Sequence, residues 1–219
     1  MDRWVTFDCY GTLIDWNRGI RTCLAELWPR ADPDALLRRY HRLEPSLEAD
    51  GTNTYRTVLT EILVGIGISE GLVVPPGRAS ALADSLPSWP PFPEAPAVLE
   101  ELRRRGWKLA ILSNTDPEYL AASLAQLRAP VDLTITASEI GSYKPAHAHW
   151  ETFFERTGAD RARHVHVAAS LFHDVRPCAE LRLPCVWINR LAETSDLPRA
   201  AELPDLRALP DSLDALVPA

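Results

Sequence analysis

Lysine is almost missing from this 219-residue chain: only Lys108 and Lys144 occur, and every other basic side chain is arginine. Either lysine is therefore a specific choice. Cysteine is scarce too, and Cys9, Cys23, Cys178 and Cys185 make no C-x-x-C pair and no metal-ligand spacing, so reduced thiols and no bound metal are expected. No apolar run approaches the roughly 20 residues of a membrane span. Excess positive charge is lacking, since the formal net charge is -7, which argues against nucleic acid as a partner. The chain starts directly on a strand, so no signal peptide is expected and the cytoplasm is the default compartment. A hydrophobic content of 46% and a charged content of 24% are ordinary globular values, and the length suits one domain or one domain with an insertion.

What is present is organised around Trp4-Val5-Thr6-Phe7-Asp8-Cys9-Tyr10-Gly11-Thr12-Leu13. A buried strand runs into an aspartate, and Gly11-Thr12 turn the chain. In open α/β sheets the ligand crevice lies beyond the carboxyl ends of the strands, so Asp8 reads either as a carboxylate aimed into a site or as a cap of the following turn. Strand alternation points Cys9 the other way.

Helical spacing follows over 16–30, over 33–44 (opened by Asp32-Pro33 and closed before Pro45), over 53–66 (ended by Gly65 and Gly67) and over 76–86. No strand pattern interrupts this stretch. Five prolines between Pro87 and Pro96 make a stiff return linker. Beyond it helices alternate with strands: helix 95–105, strand 108–112, a helix opened by Asp116-Pro117, strand 133–136, helix 146–157, strand 165–168, helix 175–182, strand 185–188, and a short helix at 212–216. This rhythm means a parallel sheet. The predicted fold is α/β, a Rossmann-like parallel core of residues 1–15 and 92–219 with an all-helical insertion over 16–91.

Three further strand ends carry polar groups. Ser113-Asn114-Thr115 precede a helix N-terminus and with its free N–H groups suit an anion. Lys144 opens another helix, and Asp174 follows the 165–168 strand. Together these place two carboxylates, one ammonium and an anion cradle at one edge.

In order and spacing, Phe7-Asp8-Cys9-Tyr10-Gly11-Thr12-Leu13, Leu112-Ser113-Asn114, Tyr143-Lys144-Pro145 and Asp174 resemble the four motifs of the haloacid dehalogenase superfamily, and the helical insertion sits where that family places its cap. Asp-x-Tyr-Gly-Thr-Leu and the closing Val186-Trp187-Ile188-Asn189-Arg190 resemble the L-2-haloacid dehalogenase branch. The resemblance implies cofactor-free hydrolysis of a small 2-haloalkanoic acid through an ester on Asp8, and a homodimer. The alternatives are a phosphatase acting on a small phosphorylated metabolite, which would need magnesium, and a catalytically weak binding member of the fold.

Magnesium phosphatases of the superfamily place a second aspartate at the position of Tyr10 and a metal-binding one at that of Ala169; a phenol and a methyl group suit neither role. Halide departure needs no general acid. Lys144 favours the ionised nucleophile, while Ser113 and Thr12 are candidates to hold the substrate carboxylate, with Tyr10 lining the site. By resemblance a cap arginine receives the halide. Arg39 is the best match, with Asn114 beside it and Arg38 and Arg42 as competitors. Trp150 stands where the branch has a tyrosine, so it is a substrate-side candidate as well as a core candidate. Ala169 and Leu171 replace the serine and asparagine that help place water in that branch. His173, with Asp174, is therefore expected either to position water for ester hydrolysis or to orient a neighbour.

Overall fold

The computed structural model describes residues 2–48, 51 and 53–219. Among them six strands form one parallel sheet, β1 (Arg3–Phe7), β2 (Trp107–Ser113), β3 (Leu133–Thr136), β4 (His164–Ala168), β5 (Cys185–Ile188) and β6 (Ala201–Leu203), in the order β3-β2-β1-β4-β5-β6. β1 lies in the middle, with Phe7 in register with Ile111 on one side and Val167 on the other. All five of its residues are buried, as expected of a strand covered on both faces.

Alternation divides the apolar side chains between two cores. Val5, Phe7, Leu109, Ile111, Val165 and Val167 share one cluster with α5 (Ala95–Arg104), α10 (Leu209–Leu216) and the helical block between β1 and α5. Trp4, Ala110, Leu112 and Trp187 share the other with α8 (Ala148–Thr157) and α9 (Arg176–Glu180). The block consists of α1 (Trp16–Leu27), α2 (Pro33–Glu48), α3 (Tyr55–Glu70), α4 (Ala81–Ser85) and a 3₁₀ turn at Leu86–Ser88. The chain enters and leaves it through adjacent segments: Asp15 N donates to Pro90 O at 2.8 Å and Phe92 N to Leu13 O at 2.9 Å.

The sequence placed several boundaries wrongly. α2 does not stop before Pro45 but carries it inside and continues to Glu48; the buried Leu36, Leu37, Tyr40, Glu44 and Glu48 hold the last turn in place despite the lost N–H. α3 passes through Gly65 and Gly67 because Val58, Leu59, Ile62, Leu63 and Ile66 bury one continuous face, outweighing about 1 kcal/mol per glycine. It ends at Gly71, whose φ of 65° is left-handed. The expected helix over 76–86 shrinks to α4 and the 3₁₀ turn. β6 and the short α7 (Ala137–Ile140) had no recognisable pattern. Asp116 makes no side-chain cap to its own helix α6 (Pro117–Leu127). Its carboxylate instead accepts from Tyr55 N at 2.9 Å and Arg56 N at 3.0 Å, holding the first turn of α3 from across the molecule.

Candidate active site

Asp8 leaves β1 at the centre of the sheet and is 8% exposed. The turn behind it is closed by Leu13 N and Ile14 N on Cys9 O, at 2.8 and 3.0 Å. Thr12 lies inside that turn: its hydroxyl donates to Asp8 Oδ2 at 2.8 Å and accepts from Ala169 N at 2.9 Å. Thr12 thus holds the carboxylate and ties β1 to the end of β4. It does not face the cleft, which corrects its expected role in gripping substrate.

Lys144 is 1% exposed, and its ammonium donates to Asp8 Oδ1 at 2.9 Å, Leu112 O at 2.9 Å and Asp174 Oδ1 at 2.7 Å. Asn114 brackets the lysine's peptide, accepting from Lys144 N at 2.7 Å and donating to Lys144 O at 2.9 Å. Asp174 sits in a π-helical turn, Leu171–Val175, capped by Ser170, whose Oγ accepts from His173 N at 3.0 Å. Such turns aim side chains that a regular helix would not. On the covered side of the sheet Thr6 Oγ1 lies 2.8 Å from His166 Nδ1, and His166 Nε2 lies 3.0 Å from Asp174 Oδ1.

These contacts set the charges. Burial pushes the Asp174 carboxyl up, but Lys144 and then His166 outweigh it and hold it well below the usual carboxylate range. Burial pushes the Asp8 carboxyl up, Lys144 and Thr12 oppose this, and the charge of Asp174 adds to burial, leaving Asp8 above its ordinary value. Burial works against the Lys144 ammonium, but Asp174 and Asp8 more than offset it, so the lysine stays charged. One cation shared by two anions therefore favours Asp174 as the permanently ionised member. Burial, followed by the charge of Asp8, raises the Cys9 thiol well above its usual value, so it is no nucleophile.

Over Asp8 lies a cleft of about 60 Å³, lined by Tyr10, Ser113, Asn114, Lys144, Ser170, His173 and Asp174 from the sheet side, and by Trp16, Glu44, Glu48 and Tyr55 from the helical block. It shares Tyr10, Trp16, Glu44, Ser170 and His173 with a wider groove of about 720 Å³. Ser113 Oγ and Asp174 Oδ2 are buried without a hydrogen-bond partner. Glu44 Oε1 accepts from Tyr40 OH at 2.7 Å and from Tyr55 OH at 3.2 Å. Burial and the neighbouring Glu48 push its carboxyl up to about 8, against the pull of His173 and the tyrosines.

The family model for haloacid dehalogenase-like hydrolases matches residues 3–179 of the chain. This protein belongs to that family. It is 31% identical over 191 residues to an (S)-2-haloacid dehalogenase of Pseudomonas sp. (strain YL), covering 85% of this chain and 82% of that one. Its fold superposes with a TM-score of 0.84, at 20% identity and over 96% and 98% of the two chains, on the L-2-haloacid dehalogenase of Xanthobacter autotrophicus with chloropropionic acid covalently bound. A phosphoserine phosphatase of Thermus thermophilus is 32% identical over 138 residues, a match that covers 60% of this chain and 54% of that one.

Within this haloacid dehalogenase-like frame the donor set suits magnesium poorly. Tyr10 presents a phenol that burial raises well above its usual pKa, and its OH lies 3.0 Å from Ser123 Oγ. Ala169 offers a methyl group. Of the four oxygens of Asp8 and Asp174, three already accept hydrogen bonds from protein groups and only Asp174 Oδ2 accepts none, which leaves little of this pair for a cation that wants several oxygens.

Two expected site residues lie elsewhere. Arg39 points away from the cleft, pairing with Glu70 at 2.9 Å on the far side of the block; Arg38 pairs with Asp32 at 3.7 Å, and Arg42 is exposed. Trp150 is fully buried beneath the sheet, its ring 5.2 Å from that of His166, so it is core. The sequence reading missed Glu44, Glu48, Trp16, Tyr55 and His166. The one available signal was the i, i+4 spacing of Glu44 and Glu48, and it was hidden by the expected stop at Pro45.

Proposed function

We propose that this protein hydrolyses the carbon–halogen bond of small 2-haloalkanoic acids without a cofactor, through a covalent ester on Asp8. The observation that carries the reading is a buried carboxylate at the end of the central strand. Lys144 and Thr12 hold it from behind, and a cleft opens over it, in a chain whose relatives include (S)-2-haloacid dehalogenases.

In this reading an Asp8 oxygen attacks the halogen-bearing carbon, the carbon–halogen bond breaks, and the halide leaves with the electron pair. The unpartnered Ser113 hydroxyl, at the end of β2, receives the substrate carboxylate. Water then adds to the carboxyl carbon of Asp8 and releases the 2-hydroxy acid. Asp174 Oδ2 is a free acceptor facing the cleft that orients this water, and Lys144 offsets the charge gathering on the Asp8 oxygens. The net change takes up one water and releases a halide and a proton. The helical block serves as a cap over the cleft, and cytoplasmic residence, with which four buried free cysteines are compatible, and a homodimer complete the proposal.

The test is halide release from 2-chloropropionate in the presence of a chelator, with single turnover in heavy-oxygen water. Label should appear in the Asp8 carboxylate, and Asp8→Asn should lower release at least about a thousandfold. Activity that chelation abolishes and magnesium restores, or an Asp8 that never takes up label, overturns the reading.

A further inference from the structure

A departing anion is stabilised most by a cationic donor, and the cleft lining holds two groups able to be one, Lys144 and His173, whereas Arg21 and Arg190 line only the wider groove and are paired with Asp34 and Glu94. A lysine ammonium has three N–H donors, and those of Lys144 are engaged by Asp8, Leu112 O and Asp174. The block arginines 38, 39 and 42 are turned away, and on this wall the block presents carboxylates instead. His173 remains. Its Nδ1 lies 3.1 Å from Ser170 Oγ, while its Nε2 is buried with no hydrogen-bond partner and stands 3.4 Å from Glu48 Oε2.

We propose that the imidazolium Nε2–H of His173 receives the departing halide, and that Glu48, reaching over from α2, keeps the ring charged. This rests on the dehalogenase reading above. As the Asp8 oxygen bonds to the substrate carbon, the electron pair of the breaking bond goes to the halide, which the His173 N–H then solvates without transferring its proton. The groups facing the ring are Glu48 and Glu44 from α2 and Asp174 and Ser170 from its own turn, with the Phe172 ring 4.9 Å away. Burial opposes the charge, but the Glu48 carboxylate 3.4 Å away, then Glu44 and Asp174, outweigh it and raise the histidine above its ordinary pKa. A protonated ring is no base, so in this proposal His173 does not activate the hydrolytic water.

The experiment combines halide binding with leaving-group dependence, using His173→Gln and Glu48→Gln. Bromide and iodide binding is followed by quenching of tryptophan fluorescence, Trp16 being in the cleft wall. Binding should be saturable in the wild type and weaken about tenfold or more in His173→Gln, the size of one charged hydrogen bond. Glu48→Gln should bind halide at low pH and lose it at a lower pH than the wild type. In turnover, His173→Gln should slow 2-chloropropionate about tenfold more than 2-bromopropionate, chloride being the poorer leaving group. Equal slowing of both acids with ester accumulating on Asp8 would place His173 in the hydrolysis step and overturn the proposal. So would halide binding unchanged by His173→Gln. Absence of halide release from either acid by the wild type overturns the dehalogenase reading instead, and the binding measurements then still decide the role of His173.

Discussion

Thr12 contributes a single hydroxyl to Asp8 Oδ2, yet it is one of the few groups that pull the carboxyl of Asp8 down against burial and the charge of Asp174. In the proposed reaction Asp8 acts only when ionised, and its carboxyl lies above its ordinary value. Ester formation should therefore fade as pH drops through a point above the usual aspartate range. Thr12→Val removes an opposing hydrogen bond and should move that acid limb further upward; single-turnover ester formation between pH 4 and 8 reads it, and an unmoved limb would contradict the assignment. Asp8 and Ser113 were legible in the sequence because buried parallel strands are near-continuous apolar runs, and a polar residue at the end of such a run stands out; Lys144 was marked by the scarcity of lysine and, like Asp174, by motif order. Arg39 could not be judged that way. Arg38, Arg39 and Arg42 share an arc of about 100° on α2, so spacing does not separate them, and only packing decides which faces inward. His166 was hidden for the opposite reason: alternation marks it as covered, but nothing in the chain tells that Asp174 is its neighbour.

Among the elements, β1 to β5 and the longer helices of the second half follow their sequence patterns closely, whereas β6, α7 and the helical block depart from them. Its helices are held by contacts that cross sequence distance, so local stop signals at Pro45, Gly65 and Gly67 are overridden. α1 shows how tight those contacts are. A Cβ added at Gly19 would lie 2.2 Å from Trp89 Cγ, and Trp89 is 1% exposed on the return segment. Helix propensity alone would favour alanine at that position by about 1 kcal/mol. The clash reverses the sign: Gly19→Ala should destabilise by roughly 2 kcal/mol, read as a lowered urea midpoint with an unchanged slope. Stabilisation would mean that the indole has room to move.

For the molecule as a whole, Glu44 links pH to stability. Its carboxyl is pushed up to about 8 in the folded chain, against 4.5 for the free side chain. Between those values the folded state keeps a proton that the unfolded state has released, so stability should fall as pH rises through this window. Glu44→Gln carries no such proton and should flatten the decline. At pH 9 it should gain roughly 2 kcal/mol relative to the wild type, about 4–8 °C in melting temperature. Parallel melting curves from pH 5 to 9 for the two proteins would count against a neutral Glu44.

The hold of Asp116 on the first turn of α3 bears on engineering. The peptide N–H groups of Tyr55 and Arg56 find their acceptor on a loop of the sheet, while Thr57 N and Val58 N find theirs locally, on Thr54. Half of the end-cap of that helix is thus encoded some sixty residues downstream. The block is consequently not portable. Transplanted onto a related scaffold its α3 would open with two orphaned amides unless the recipient loop supplied a carboxylate at the matching place, so exchanges of this block within the family should transfer that loop together with the helices.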